Sequence, residues 1–218
     1  MSIYVMSDIH GQYNDFLNML SLINFNDLDH LIIAGDVLDV GPKPLEIIDY
    51  IRSHDNITLI KGNHEELFED YFITADSSNW LQCDGASTLD EINHRGKEYE
   101  YLLYSYILGL PKIKVLGKFI IVHAGLFLPK FHDKLSIEEL LEYQYDSYNL
   151  WTNESVYTDE QYKDYTIICG HKTVQSITGN SKILHKKGRI FIDCGCGFTH
   201  SNGKLACLRL DDMEEFYI

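Results

Sequence analysis

Five short apolar runs in this chain each break off into a loop carrying an aspartate, a histidine or an asparagine. Ile3-Tyr4-Val5-Met6 leads into SDIHGQ, His30-Leu31-Ile32-Ile33 into AGDVLDVGPKP, and Ile57-Thr58-Leu59-Ile60 into KGNHEE. Further on, Lys118 to Val122 runs into His123, and Thr166-Ile167-Ile168-Cys169 into Gly170-His171. Apolar runs this short, bounded by turn residues, read as buried strands. Helix-spaced segments separate the first three: Phe16, Leu17, Leu20 and Ile23, then Pro44 to about Ser53. Alternation of strand, loop and helix specifies an α/β fold. Open sheets of that class place ligands beyond the carboxyl ends of their strands. The five polar loops are therefore expected to converge on one rim.

The rest of the chain fits around that frame. Residues 66–110 turn helical and rich in tyrosine and acids, with the break NWLQCDGAST inside them. They read as a helical insertion or cap within a single domain spanning 1–218. After Pro111 the pattern predicts a hairpin about Gly117. A helix over 136–145 is announced by the Ser136/Glu139 capping pair, and strands are expected at 182–184, 189–192 and 205–210. With 45% hydrophobic residues the chain has ample material for one packed core.

A formal charge of −15 argues against a nucleic-acid polymer as partner, since no basic face is available. The opening MSIYVMSDIHG has neither the basic start nor the apolar stretch of a leader or a span. A cytoplasmic protein without membrane contact is expected. Cys83, Cys169, Cys194, Cys196 and Cys207 are an odd set without framework spacing, and they read as buried thiols. Tyr99 to Tyr106, Trp80 and Trp151 read as core, and His30, His54, His94, His132, His185 and His200 as surface or packing residues.

None of the loop pieces is specific by itself. An Asp-x-His is a common surface turn, and GNHE suits the start of a capped helix. Taken in order, each at a strand end, they supply the carboxylate, imidazole and amide groups of mixed N/O metal ligation. The set DIHG, GDxxDxGP, GNHE, HAG, GH and IDCG…GKLACLRLDD resembles the calcineurin-like metallophosphoesterases, and within them the phosphoprotein-phosphatase branch with its small bacterial and phage serine/threonine phosphatases. The resemblance covers nearly the whole chain. It implies a four-layer αββα sandwich and two divalent metal ions (Mn²⁺ first, with Fe, Zn²⁺ or Ni²⁺ also suited).

By that resemblance Asp8 and His10 would hold one ion, Asp36 would bridge both, and Asn63, His123 and His171 would complete the second site. His64 would protonate the leaving oxygen, oriented by Asp39. The family's GDxxDRG motif reads GDVLDVG here, so Val40 replaces an arginine that grips phosphate, and Asn153 in LWTN stands where a second is expected. Two lost charge-assisted clamps would weaken binding of a phosphomonoester dianion severely. Asn63, Asn153 and Lys43 are candidate substrate contacts, with Lys43, Lys172 and Arg95 as possible replacement cations. His171-Lys172-Thr173-Val174 also departs from the family's GHTP. The leading expectation is hydrolysis of phosphoserine or phosphothreonine esters. A phosphodiesterase or nucleotide or cyclic-nucleotide hydrolase is the alternative that Val40 and Asn153 favour, and a weakly catalytic metal-binding regulator is a third. The partner is expected to be a phosphorylated substrate, either a phosphoprotein or a small phosphoester.

Overall fold

The computed structural model describes residues 1–198 and 202–218, so His200 lies outside the described residues. Strand β1 (Ile3–Met6) leads to helix α1 (Tyr13–Leu22), β2 (His30–Ile33) to α2 (Pro44–Arg52), and β3 (Ile57–Leu59) to α3 (Asn63–Thr74). Three more helices follow, α4 (Ser78–Gln82), α5 (Ala86–Arg95) and α6 (Lys97–Leu108). The hairpin β4 (Ile113–Leu116) and β5 (Phe119–Val122) turns at Gly117, whose φ of +56° suits glycine. Then come α7 (Ile137–Glu142), α8 (Asp146–Asn149), β6 (Thr166–Cys169), α9 (Val174–Thr178), β7 (Leu184–Lys186), β8 (Arg189–Phe191), β9 (Ala206–Arg209) and β10 (Glu215–Tyr217).

The strands form two five-stranded mixed sheets, ordered β10-β9-β1-β2-β3 and β4-β5-β6-β8-β7. Strands β1, β2 and β3 run parallel, as do β5, β6 and β8. Parallel neighbours end at the same side, so the loops after them share a rim. Val5, Ile32, Ile121, Ile168 and Ile190 point into a core between the sheets. Their neighbours Tyr4, Met6, Leu31 and Ile33 pack outward against the helices beside the first sheet, while Ile120, Val122, Ile167 and Cys169 do so behind the second. Both faces of each sheet are covered, which explains why LII, FIIV and IIC are apolar throughout rather than alternating. The architecture is the α/β sandwich of two sheets flanked by helices.

Several boundaries differ from the sequence reading. The strand expected at 182–184 lies instead at Leu184–Lys186, because the Lys187-Gly188 turn fixes an antiparallel register of Lys186 with Arg189. Ser136 and Glu139 do form their reciprocal cap, but α7 stops at Glu142. Just beyond it, the Gln144 amide donates to Leu140 O and Phe127 O, both at 3.0 Å, and diverts the chain. The break at 79–88 mostly folds as helix, with Gly85 required because a Cβ there would meet the Trp80 ring at 2.5 Å. All five cysteines are free, and four of them are buried. No helix among the described residues is long and apolar enough to cross a membrane.

Candidate active site

Each of the five parallel-strand loops delivers its polar residues to one place. Asp8 and His10 come from the loop after β1, Asp36 and Asp39 from that after β2, Asn63 and His64 from the start of α3. His123 follows β5 and His171 follows β6. The Asp36 Oδ2 atom is central: it lies 3.3 Å from His123 Nε2 and 3.9 Å from both His10 Nε2 and His64 Nε2. Asn63 Oδ1 is 2.8 Å from His123 Nε2 and 2.9 Å from His171 Nδ1.

The imidazoles are aimed by their other nitrogens. His10 Nδ1–H donates to Leu38 O at 3.0 Å, and His123 Nδ1–H to Ala34 O at 2.8 Å. Each therefore turns its Nε2 into the site, the nitrogen that a metal can take once it is free of its proton. Two groups, His10–Asp36–His64 and Asp36–His123–His171, bring their ligand atoms within 4.8 Å and share Asp36. That donor set fits a pair of divalent cations joined by one carboxylate. Asp8 stands beside it with both oxygens on the His171 N–H, at 3.0 and 3.1 Å.

Backbone geometry is unusual here. Asp8, His10, Asp36, Asp39, Val40 and His171 all have φ between +47° and +67°, a region costly for residues other than glycine. Gly41 N–H reaches Asp39 O and Lys172 N–H reaches Gly170 O, both at 2.7 Å. Val40 and His171 thus centre γ-turns of the strained, positive-φ kind. For the β-branched Val40 this conformation is a true outlier, and such strain gathers at functional sites.

The charges follow from the packing. Before a cation binds, burial pulls the His123 imidazolium down, but the Asp36 carboxylate outweighs this and raises its pKa to about 10. Burial and the His123 charge lower His171 to about 4. Burial also opposes ionisation of Asp36, yet His123 and His64 hold its carboxyl well below the usual range. Asp8 is raised by burial and by the neighbouring Asp193 charge. For His64, burial acts downward, while Asp36 and the hydrogen bond to Asp39 raise it to about 9.

His64 Nδ1 lies 2.7 Å from Asp39 Oδ2. Asp39 in turn accepts from Trp80 Nε1 at 2.8 Å and from the Thr88 hydroxyl at 2.6 Å. Trp80 is thus core, as read from the sequence, and also a hydrogen-bond donor to the site, which periodicity does not reveal. Thr88 carried no signal at all. Glu65 was likewise missed: fully buried, it accepts from the Asp36, Val37, Leu38 and Gly62 N–H groups at 2.9, 3.0, 3.3 and 2.8 Å. Its position after GNH, at the third residue of a helix, was the available cue.

Beside His171 a cleft of 710 Å³ opens, lined by Trp151, Asn153, Lys172 and Phe198 among others. Asn153 therefore faces the site region. Lys43 is not among the cleft residues, and Arg95 is paired with Asp49 and with Glu46 at 3.5 Å. The tryptophan indole of Trp151 donates to Glu66 at 2.5 Å.

A shared carboxylate ringed by imidazoles at the carboxyl ends of a two-sheet α/β sandwich defines a metal-dependent hydrolase of phosphoric esters. The chain belongs to the calcineurin-like phosphoesterase family, which it matches over residues 1–210. That family works with two divalent metal ions. A symmetrical bis(5′-nucleosyl)-tetraphosphatase of Buchnera aphidicola subsp. Acyrthosiphon pisum is 36% identical over 112 residues, 42% of this chain and 41% of the relative. One from Wigglesworthia glossinidia brevipalpis is 34% identical over 142 residues, 60% of this chain and 47% of the relative. The chain thus spans less than half the length of these curated relatives. A solved structure provisionally described as a diadenosine tetraphosphatase superposes with a TM-score of 0.71 at 16% identity, covering 100% of this chain and 92% of that one. A serine/threonine phosphatase from Saccharomyces cerevisiae gives 0.64 at 13% identity, covering 96% and 72%. At such identities the structural likeness speaks for the fold alone.

Proposed function

We propose that this protein hydrolyses a phosphate chain that carries a nucleoside, with dinucleoside polyphosphates as the leading substrate class. The reading as a serine/threonine phosphatase gives way to it. The observation that carries the proposal is the rim itself: Val40 and Asn153 leave it without a guanidinium clamp, while an aromatic-flanked cleft adjoins His171. A protein phosphatase must hold a lone dianion by charge. A nucleotide can also be held by its base against Trp151 or Phe198, and stacking of that kind contributes about 1–3 kcal/mol per base. The tetraphosphatase relatives support the same choice.

His10, Asp36 and Asp8 would hold one ion, and Asp36, Asn63, His123 and His171 the other. When bound, the ions polarise the phosphoryl oxygens and make water nucleophilic near neutral pH. Asp39 keeps Nδ1 of His64 protonated, so Nε2 faces the site and carries the transferable proton. As water adds to phosphorus and the bond to the leaving oxygen breaks, His64 Nε2 gives that oxygen its proton. Asn63 keeps its carboxamide oxygen toward both His123 and His171. The motif order DIHG, GDxxDxG, GNHE supports placing the chain in the phosphoprotein-phosphatase branch of its family, and residues 66–110 supply the Trp80 and Thr88 contacts of a cap.

The test is a Mn²⁺-supplemented panel of dinucleoside tetraphosphate, nucleoside triphosphate, cyclic nucleotide and phosphoserine peptide. We expect kcat/KM for the dinucleoside tetraphosphate to exceed that for the peptide at least tenfold. Preference for the peptide would overturn the reading.

A further inference from the structure

We propose that Lys172 is the phosphate-gripping cation of this site, seizing the phosphate next to the one under attack and so selecting chains of two or more phosphates. This rests on the nucleotide reading above for its biological substrate, but its physical content stands on the cleft. Among the described residues Lys172 is the sole lysine or arginine lining that cleft, and none of those lining it is a carboxylate. No ion pair joins Lys172 to an acid among the described residues, in a chain with 33 acids against 18 bases. The other candidates are spent or misplaced. Arg95 is held by Asp49 and Glu46 and lies over the Tyr99 ring at 4.6 Å. Lys61 is buried against Glu69 at 2.5 Å. Arg189 is 1% exposed, with its Nε on Glu160 O at 3.3 Å. Lys43 stands off the cleft.

Position matters as much as availability. The γ-turn from Gly170 O to Lys172 N–H sets Lys172 one residue beyond His171 on the same rim. Reaching into the cleft from beyond His171, the Lys172 ammonium would meet phosphate bonded onward from the reacting phosphorus rather than the reacting phosphoryl oxygens. A lysine ammonium is a compact point charge on a flexible stem, which suits a bridging or terminal oxygen of a chain better than two-point gripping of one phosphoryl group. The departure from GHTP at Lys172 and the loss of arginine at Val40 then become one change: the grip has moved along the substrate.

Inorganic tripolyphosphate and orthophosphate are the probes, titrated calorimetrically into the intact protein at fixed free Mn²⁺. Wild-type protein should prefer tripolyphosphate. Lys172→Met should cut that preference about 10- to 100-fold, the range expected for a lost charge-assisted contact, and Lys172→Arg should keep most of it. Rising salt should erode the wild-type preference and leave that of Lys172→Met nearly flat. An unchanged preference in Lys172→Met overturns the proposal, as does an equal loss for both anions. Failure of the nucleotide reading would look different, with dinucleoside tetraphosphate inert while the tripolyphosphate preference still depends on Lys172.

Discussion

Replacing Asp39 with asparagine would isolate the charge behind His64 while leaving the shape alone. Asp39 is fully buried, with Oδ1 on the Thr88 hydroxyl and Oδ2 shared by Trp80 Nε1 and His64 Nδ1. An asparagine whose carbonyl oxygen takes the Oδ2 place keeps the Trp80 and His64 bonds, and the Thr88 hydroxyl can turn to accept from the amide. A charge-assisted bond contributes about 1.5–3 kcal/mol and a neutral one about 1 kcal/mol, so the protonated imidazole loses ~1–2 kcal/mol of support. The His64 pKa, about 9 before a cation binds, should then fall by about one. His64 is a competent acid below its pKa and loses its proton as pH rises through it, so the alkaline limb of kcat should move to lower pH by the same amount. Steady-state assays would compare an alkyl phosphoester, whose leaving oxygen needs a proton, with the p-nitrophenyl ester, which needs it less. Well above the wild-type pKa the alkyl ester should lose about tenfold and the aryl ester much less. If both esters fall alike, or the alkaline limb stays in place, the pairing of Asp39 with His64 as acid and support is wrong.

Glu65→Gln should destabilise the fold by about 2–4 kcal/mol, because either placement of the amide sets its NH₂ against two backbone N–H groups; a urea midpoint within error of wild type would deny Glu65 its role as a scaffold for the Asp36 loop. Uptake of Mn²⁺ at pH 8 should release about one proton, since His123, with its pKa near 10, must become neutral to ligate. Calorimetry in buffers of different ionisation enthalpy measures this, and zero release would mean the ions bypass His123. In the acid direction Mn²⁺ affinity should fall steadily, because the proton His123 must release meets a rising proton concentration, and an affinity independent of pH between 8 and 5 would exclude His123 as a ligand.

The strands and the rim were legible because they rest on local chemistry. A run such as FIIV can be buried only as a strand or a core helix segment, and the His123 that follows it must then lie at the strand's end. The pairing of His64 with Asp39, 2.7 Å apart, was implied by the family resemblance alone. What could not be read depended on contacts between distant segments. Thr88 reaches Asp39 across 49 positions, and nothing local to STLDE distinguishes that threonine from a helix-surface one. Strand β10 was missed because its residues Glu215–Tyr217 are half-buried and short, and acquire strand geometry from pairing with β9. The left-handed backbone of Val40 was equally hidden, since valine is among the last residues one would place there.

The ligand set as a whole is drawn from both sheets. Asp8, His10, Asp36, Asn63 and His64 leave the first sheet, whereas His123 and His171 leave the second; below them the sheets meet through an apolar core, with His185–Glu215 and Ile183–Tyr217 contacts pinning β7 to β10. Cations seated at that seam would rivet the two layers together at their upper edge. Chelation should therefore do more than stop turnover: it should let the layers part from the rim downward, so that amides of Ala34 and Gly170 exchange with solvent well before those in the strand centres.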